Sequence, residues 1–277
     1  MKMDVLFCGD ENMADGLLIS TLALLKNVSE PLHVHLLTAT LRNAQRQFVP
    51  LSQHTADFLQ GVVAEHDARN TVTRYDITDL VQATPPTANR ETIFTPYCML
   101  RLYADLVPAL PERLLYLDTD VVCRRDPGKF YHQDLTGTQF VGVLDYYGRW
   151  FFHSQLKVAD YINSGVLLMN LAEIRESGLF ARARLMCQQR QMFMPDQSAL
   201  NKLANHKRVA PRRYNDQRRL HRNTVFQHFT TSFRLWPWVH TLTVKPWQVD
   251  RVHTDLKLHE YDDLLSEYAS LAPQLKG

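Results

Sequence analysis

The run Leu114-Leu115-Tyr116-Leu117, which stops at Asp118-Thr119-Asp120, constrains this chain more than any other segment. Four consecutive apolar residues suit a strand covered on both faces, as inside a parallel sheet. A carboxylate at the tip of such a strand is costly unless it is paired or bound to a metal. Asp118 and Asp120 are two residues apart, so a continued extended backbone points both to one side. Two hard oxygen donors on one side suit a divalent cation such as Mn2+ or Mg2+, with positions left for phosphate oxygens. The same pair can also cap a turn and face water, and the motif alone does not separate the two readings.

Two other apolar runs end in acids. Residues 4–10 read as a first strand finishing at Asp10, and residues 140–144 as a strand stopping at Asp145. Leu17, Leu18, Thr21, Leu22, Leu24 and Leu25 have helical spacing, and residues 32–39 read as a second buried strand. Residues 41–66 are polar and helical in period, with Pro50 as a break. A short strand is expected at 72–77, loop at 82–91, helix at 97–106, strand within 162–171, helix at 172–190 and a further helix from Pro195. Strands alternating with helices predict an α/β protein with a mainly parallel sheet flanked by helices. Ligands of such sheets bind beyond the carboxyl ends of the strands, which makes Asp10, Asp118, Asp120 and Asp145 one candidate edge.

Composition narrows the function. The chain has 277 residues, 45% hydrophobic and 22% charged, enough for a large core and unlike a disordered protein. A net charge of +2 argues against a nucleic-acid binder. With ten glycines and no G-x-G-x-x-G or G-x-x-x-x-G-K-[ST] run, dinucleotide and P-loop enzymes lack their fingerprints. G-x-S-x-G and H-E-x-x-H are absent as well. Cys8, Cys98, Cys123 and Cys187 are far apart and read as reduced thiols rather than metal or redox groups. No window reaches the ~18 apolar residues of a bilayer span, and the opening residues lack a signal-peptide pattern, so a cytoplasmic protein is expected. Between Lys207 and Arg234 there are eight Lys or Arg and one acid, Asp216, with Phe233, Trp236, Trp238 and Trp247 in or near this stretch. A boundary is placed near 218, giving a domain of residues 1–218 and a small basic, aromatic-rich cap of residues 219–277. The cap is either a solvated basic face or a peripheral contact to an anionic membrane.

Taken in order, these segments resemble the retaining nucleotide-sugar glycosyltransferases of family 8. Phe7-Cys8-Gly9-Asp10-Glu11-Asn12 is similar to the family's first strand and its acid-acid-Asn ending. Leu100-Arg101-Leu102-Tyr103-Ala104 followed by Leu114 to Asp120 resembles the Arg-Leu helix that leads into the Leu-Tyr-Leu-Asp-x-Asp strand. Asn163-Ser164-Gly165-Val166, the pair Asp196-Gln197, and Lys245-Pro246-Trp247 follow in the family's order, and Asp145 sits where the family has an acid facing the acceptor. One departure stands out. The family's metal-ligating histidine precedes the Lys by six residues in a His-x-x-Gly-x-x-Lys-Pro-Trp run, whereas His240 is five before Lys245 and the Gly is missing. His228, in Thr224-Val225-Phe226-Gln227-His228-Phe229, looks more like the family's His-Phe strand, and its use requires an insertion carrying Trp236-Pro237-Trp238.

The resemblance implies a GT-A (Rossmann-like) fold and transfer of glucose or galactose, with retention, from a UDP-sugar to a glycan, glycoprotein or glycolipid. It implies Mn2+ (or Mg2+) held by Asp118, Asp120 and either His228 or His240. It implies nucleotide or sugar contacts by Cys8, Asp10, Asn12, Arg101, Thr119, Asn163, Ser164 and Lys245, and reaction-centre roles for Gln197, Asp196 and Asp145. Two alternatives are a nucleotidyltransferase that makes a nucleotide sugar, and a non-catalytic nucleotide-sugar-binding relative.

Overall fold

The computed structural model describes residues 2–43, 47–91, 96–146, 160–217, 219–234 and 240–275. Its first half alternates as expected. Strand β1 (Met3–Cys8) leads through a 3₁₀ turn into α1 (Ala14–Asn27), then β2 (Leu32–Thr38). The expected helical stretch from 41 is corrected to a small hairpin, β3 (Leu41–Arg42) and β4 (Gln47–Phe48), followed by α2 (Gln53–His66). The break at Pro50 is real, and α2 starts just beyond it because Ser52 caps it, its side chain accepting from Thr55 N. β5 (Thr71–Asp76) and α3 (Thr78–Ala83) follow, so part of the expected 82–91 loop is helix end. The expected helix at 97–106 is a 3₁₀ helix over Pro96–Leu106.

Strands β6 (Arg113–Leu117) and β7 (Val121–Cys123) flank the Asp118-Thr119-Asp120 turn. After α4 (Gly128–Tyr131) come β8 (Phe140–Leu144) and β9 (Ile162–Asn170). One helix was expected over 172–190; two form, α5 (Leu171–Glu176) and α6 (Leu179–Gln189), because Gly178 at φ +61° breaks the helical path. α7 (Pro195–Leu203) starts on a proline at its first position. The remainder comprises β10 (Lys207–Ala210), β11 (Phe226–His228), the pair β12 (Ser232–Arg234) and β13 (His240–Leu242), α8 (Val249–Thr254) and α9 (Asp262–Leu275).

Seven strands form the central sheet in the order β10-β8-β9-β6-β1-β2-β5. Its pairings are parallel except where β9 lies between β6 and β8, antiparallel to both. This reversal puts the amino end of β9 on the same edge as the carboxyl ends of its neighbours. The β8–β9 register also shifts, from Gly142 opposite Leu167 to Val143 opposite Asn163. Ser164, Gly165 and Val166 therefore bulge away from β8 at that edge.

Alternation along β1 sends Met3, Val5 and Phe7 into a core with α1, and Leu6 and Cys8 into a second core with the Pro96–Leu106 helix. Residue 218, the expected boundary, lies outside the described residues. Beyond it, β11 pairs antiparallel with β7, and Leu264, Leu265 and Tyr268 of α9 share the α1 core. Trp236, Pro237 and Trp238 lie outside the described residues. Trp247 packs on α1 so closely that a methyl at Gly16 would fall 2.6 Å from its Cζ3 and 2.6 Å from Thr119 O. Among the described residues no helix is long and apolar enough to cross a membrane.

Candidate active site at the carboxyl edge of the sheet

Asp118 and Asp120 leave β6 into a tight turn held from below. Asp118 N donates to Gly165 O (2.9 Å), and Ser20 Oγ donates to the carbonyls of Thr119 (3.1 Å) and Val121 (2.7 Å). Asp118 Oδ1 accepts from Tyr116 OH (2.6 Å) and from Arg101 Nη2 (2.9 Å). The third member comes from β11. His228 Nε2 stands 3.2 Å from Asp120 Oδ1 and 3.7 Å from Asp118 Oδ2. β11 reaches this place by pairing with β7 and through Phe229 N, which donates to Asp120 O at 3.0 Å. Lys245 Nζ donates to the other oxygen of Asp120 and to Phe229 O (3.3 Å).

The three candidate metal ligands have donor atoms within 4.8 Å of one another. The side chain of Asp118 is 30% exposed, that of Asp120 12% and that of His228 6%. The cluster is therefore buried on its histidine side and open at Asp118, the side from which a ligand can arrive. Two carboxylates and one imidazole suit Mn2+ or Mg2+. The space is also kept clear at Gly165, where a Cβ would fall 2.2 Å from His228 Cε1 and 2.8 Å from Asp118 Oδ2. Burial opposes charge on Asp120, but Lys245 and His228 outweigh it and hold the carboxyl well below the usual range. Burial likewise opposes charge on His228, and the facing Asp120 turns the shift upward. His240 opens β13, and its side chain lies outside the described residues.

Arg101 is buried, not a surface helix residue. Its guanidinium lies 3.9 Å from the centre of the Tyr116 ring, donates to the carbonyls of Ser164 and Cys98, and pairs with Asp118 (2.9 Å) and Asp196 (3.3 Å). Burial opposes its charge; Tyr116, Asp118 and Asp196 more than compensate. The first turn of α7 then meets the β9 bulge. Ser164 Oγ donates to Asp196 Oδ2 (3.0 Å), Ser164 N to Gln197 Oε1 (3.0 Å), and Gln197 Nε2 to Asp145 Oδ2 (2.7 Å). Asn163 Nδ2 reaches Asp145 Oδ2 at 3.5 Å. At the end of β1, Asn12 Nδ2 donates to Asp10 Oδ2 (2.8 Å), and Cys8 is buried in the core beneath, its thiol pushed up by burial.

Asn215 escaped the sequence reading, and Glu11, the middle residue of the acid-acid-Asn motif, has a structural role the motif did not indicate. Asn215 donates from Nδ2 to Asn163 Oδ1 (2.9 Å) and presents Oδ1 to His228 Nδ1 (3.2 Å), joining the β9 bulge to the histidine. Its signal was the polar run Asn215-Asp216-Gln217, all three buried. Glu11 accepts from Ser52 N (2.7 Å) and Thr55 Oγ1 (2.7 Å), pinning the start of α2 beside Asp10. Within the basic tail, Arg212 pairs with Asp216, Lys207 with Asp160 (3.3 Å), and Arg208 donates to Asp134 O and Gln133.

A mainly parallel sheet carrying an Asp-x-Asp turn, with one reversed strand feeding the same edge, places the molecule among GT-A glycosyltransferases. The chain belongs to glycosyl transferase family 8, whose model matches residues 4–250. The fold is similar to a crystal structure of an active-site mutant of LgtC, with 19% identity over 97% of this chain and 95% of that one and a TM-score of 0.69. It is similar to galactosyltransferase LgtC in complex with donor and acceptor sugar analogs (18% identity, 96% of each chain, TM-score 0.63). A third similarity is to the glycosyltransferase GlyE of Streptococcus pneumoniae TIGR4 (15% identity, 98% of this chain, 64% of that one, TM-score 0.63). No curated protein sequence matches the chain significantly.

Proposed function

We propose that this glycosyltransferase moves glucose or galactose from a UDP-sugar to a hydroxyl of a glycan, glycoprotein or glycolipid, with retention at the anomeric carbon. The observation that carries the reading is the convergence of Asp118, Asp120, His228 and Lys245 at the carboxyl edge of the sheet, tied through Arg101 to Asp196 and through Ser164 to Gln197. The fold neighbour studied with donor and acceptor sugar analogs supports it. Asp118, Asp120 and His228 would hold Mn2+ or Mg2+, which when bound would supply Lewis-acid stabilisation of a leaving diphosphate.

The chain's own groups do the rest. Lys245 adds a compact positive charge toward the same diphosphate oxygens. Asp10 and Asn12 hold the nucleoside; Arg101, Asn163, Ser164 and Asp196 hold the sugar. The Gln197 amide is engaged at both ends, by Ser164 N and by Asp145, and an amide is a poor nucleophile. We therefore assign it positioning, not attack. The acceptor oxygen bonds to the anomeric carbon on the face from which the diphosphate leaves. The diphosphate keeps the electron pair of the broken C–O bond and takes the acceptor's proton. Asp145 faces the acceptor.

The test is UDP release from a panel of UDP-sugars with Mn2+. Release by the wild type, falling by about a hundredfold or more in Asp120→Asn, is expected, since loss of one such charge contact costs about 3 kcal/mol. Pyrophosphate formation from a nucleoside triphosphate would instead make it a nucleotidyltransferase, and absence of both turnover and UDP binding a non-catalytic relative. Docking on an anionic membrane falls to those cations of the basic tail that the pairs above leave over. Salt-sensitive sedimentation with anionic vesicles is its expected sign, and no binding at low salt removes it.

A further inference from the structure

We propose that Asp4, His33 and His35 form a second divalent-metal site, suited to a borderline transition-metal ion such as Zn2+, at the opposite edge of the sheet from the glycosyl-transfer site. The three are brought together by strand geometry. His33 and His35 are two apart on β2 and share a face, and the β1–β2 register sets Asp4 directly opposite His33. One carboxylate oxygen, Asp4 Oδ1, lies 3.3 Å from His33 Nδ1 and 3.0 Å from His35 Nε2. Tetrahedral zinc with bonds of about 2.0–2.1 Å has ligand-to-ligand edges of about 3.3 Å. Both edges that meet at Asp4 are therefore close to the length such an ion needs, and the three donors, two nitrogens and one oxygen, lie within 4.8 Å of one another.

The outer shell is in place as well. His33 Nε2 lies 2.9 Å from Thr73 Oγ1, and His35 Nδ1 lies 3.2 Å from Tyr75 OH, both hydroxyls projecting from β5. Without an ion, His35 Nε2 donates to the Asp4 carboxylate; with an ion bound, each hydroxyl would accept the proton of the outer ring nitrogen and free the inner nitrogen's lone pair for the metal. Metal-ligating histidines are oriented in this way. Asp4 and His35 are buried, which keeps the two inner donors fixed. On the open side a cation already stands: Lys2 Nζ is 2.8 Å from His33 Nδ1 and 3.4 Å from Asp4 Oδ1. That ammonium belongs to a half-exposed, flexible side chain, and a dication displaces it into water and completes its own shell with solvent. An ion here clasps the first strand of the sheet to β2 and leaves the transfer site untouched.

The experiment counts bound zinc and follows zinc-dependent thermal stability in an Asp120→Asn background, which silences the other edge. His33→Gln is expected to bind one Zn2+ per chain fewer and to lose the zinc-induced rise in Tm. Lys2→Met, which removes the competing ammonium, is expected to bind zinc more tightly. The exposed His253, His259 and Asp262 are common to every variant and cancel in these differences. An unchanged zinc count in His33→Gln overturns the proposal. So does unchanged or weakened zinc affinity in Lys2→Met, which decides alone if His33→Gln fails to fold.

Discussion

Asn215 Oδ1 stands 3.2 Å from Nδ1 of His228 and fixes which nitrogen of that ring carries the proton. The Asn215 amide nitrogen is committed to Asn163, so its oxygen is the group that faces the imidazole. An accepting oxygen there keeps a hydrogen on Nδ1, so the nitrogen that would give up its proton and bind a cation is Nε2, which faces Asp118 and Asp120. Replacing Asn215 by Leu is expected to lower Mn2+ affinity by about 10- to 100-fold, the range for loss of an outer-shell partner. Titration of Mn2+ against UDP-dependent fluorescence checks this, and unaltered affinity would show that the ring orients without Asn215.

Gly165 is the second prediction. Its missing side chain is the space between His228 and Asp118. Gly165→Ala is expected to displace the imidazole and cut turnover by roughly a hundredfold, as displacements of about 1 Å do in reaction centres. Gly61 is the control, lying in α2 with nothing near its virtual Cβ. Gly61→Ala is expected to keep activity and add about 0.5–1 kcal/mol of stability by denaturant titration.

Arg101 neutralises two carboxylates that belong to different segments. Arg101→Met leaves Asp118 and Asp196 without their cation and is expected to cost about 3–5 kcal/mol. Arg101→Lys keeps the charge but not the planar fork that serves Ser164 O, Cys98 O and both acids. It is expected to fold with a lowered Tm and with a raised KM for the donor. A thermal melt of the Met variant that matches wild type would refute the reading of Arg101 as the group that ties Asp118, Asp196 and Ser164 together.

Alkaline pH gives the fourth. Burial pushes Cys187 up to about 12, and Tyr103 and Tyr131 up to about 12; Cys8 and Cys123 are raised further still. In the unfolded chain thiols ionise near 8.5 and phenols near 10. Above pH 8.5 the folded state therefore holds more protons than the unfolded state, and stability falls as pH rises. By pH 10 each such thiol removes about 2 kcal/mol. Urea melts at pH 7.5, 8.5 and 9.5 check the slope, and a thiol reagent at pH 8 is expected to label these three cysteines only after unfolding. Stability that stays flat to pH 10 contradicts it.

Much of this was legible in the chain itself, for a physical reason. Buried strands that end in acids are rare and costly, so Asp10, Asp118, Asp120 and Asp145 announced the edge that the structure puts them on. The family resemblance brought Lys245 to the same site as Asp118 and Asp120, but its ion pair with Asp120 had no signal in the sequence. The 41–66 stretch was misread because a two-residue strand pair has too few residues to show a period of two, and the helix behind it dominated the pattern. The 172–190 stretch was read as one helix because apolar spacing continues across Gly178, while the backbone does not. Asn163 to Gly165 lie on the functional edge only because β9 runs backwards, and strand direction has no local signature in sequence. Asn215 was missed because its partners are 52 residues behind it and 13 ahead.

The pairing of Lys245 with Asp120 spans 125 positions, and the histidine beside them sits on a strand held between β7 and the Asp216 segment. During synthesis the seven-stranded scaffold thus has all its strands some thirty-five residues before the centre it carries can close. A nascent chain halted before β11 would hold all seven strands of the sheet but lack His228, so the cluster at its edge assembles only after the scaffold beneath it.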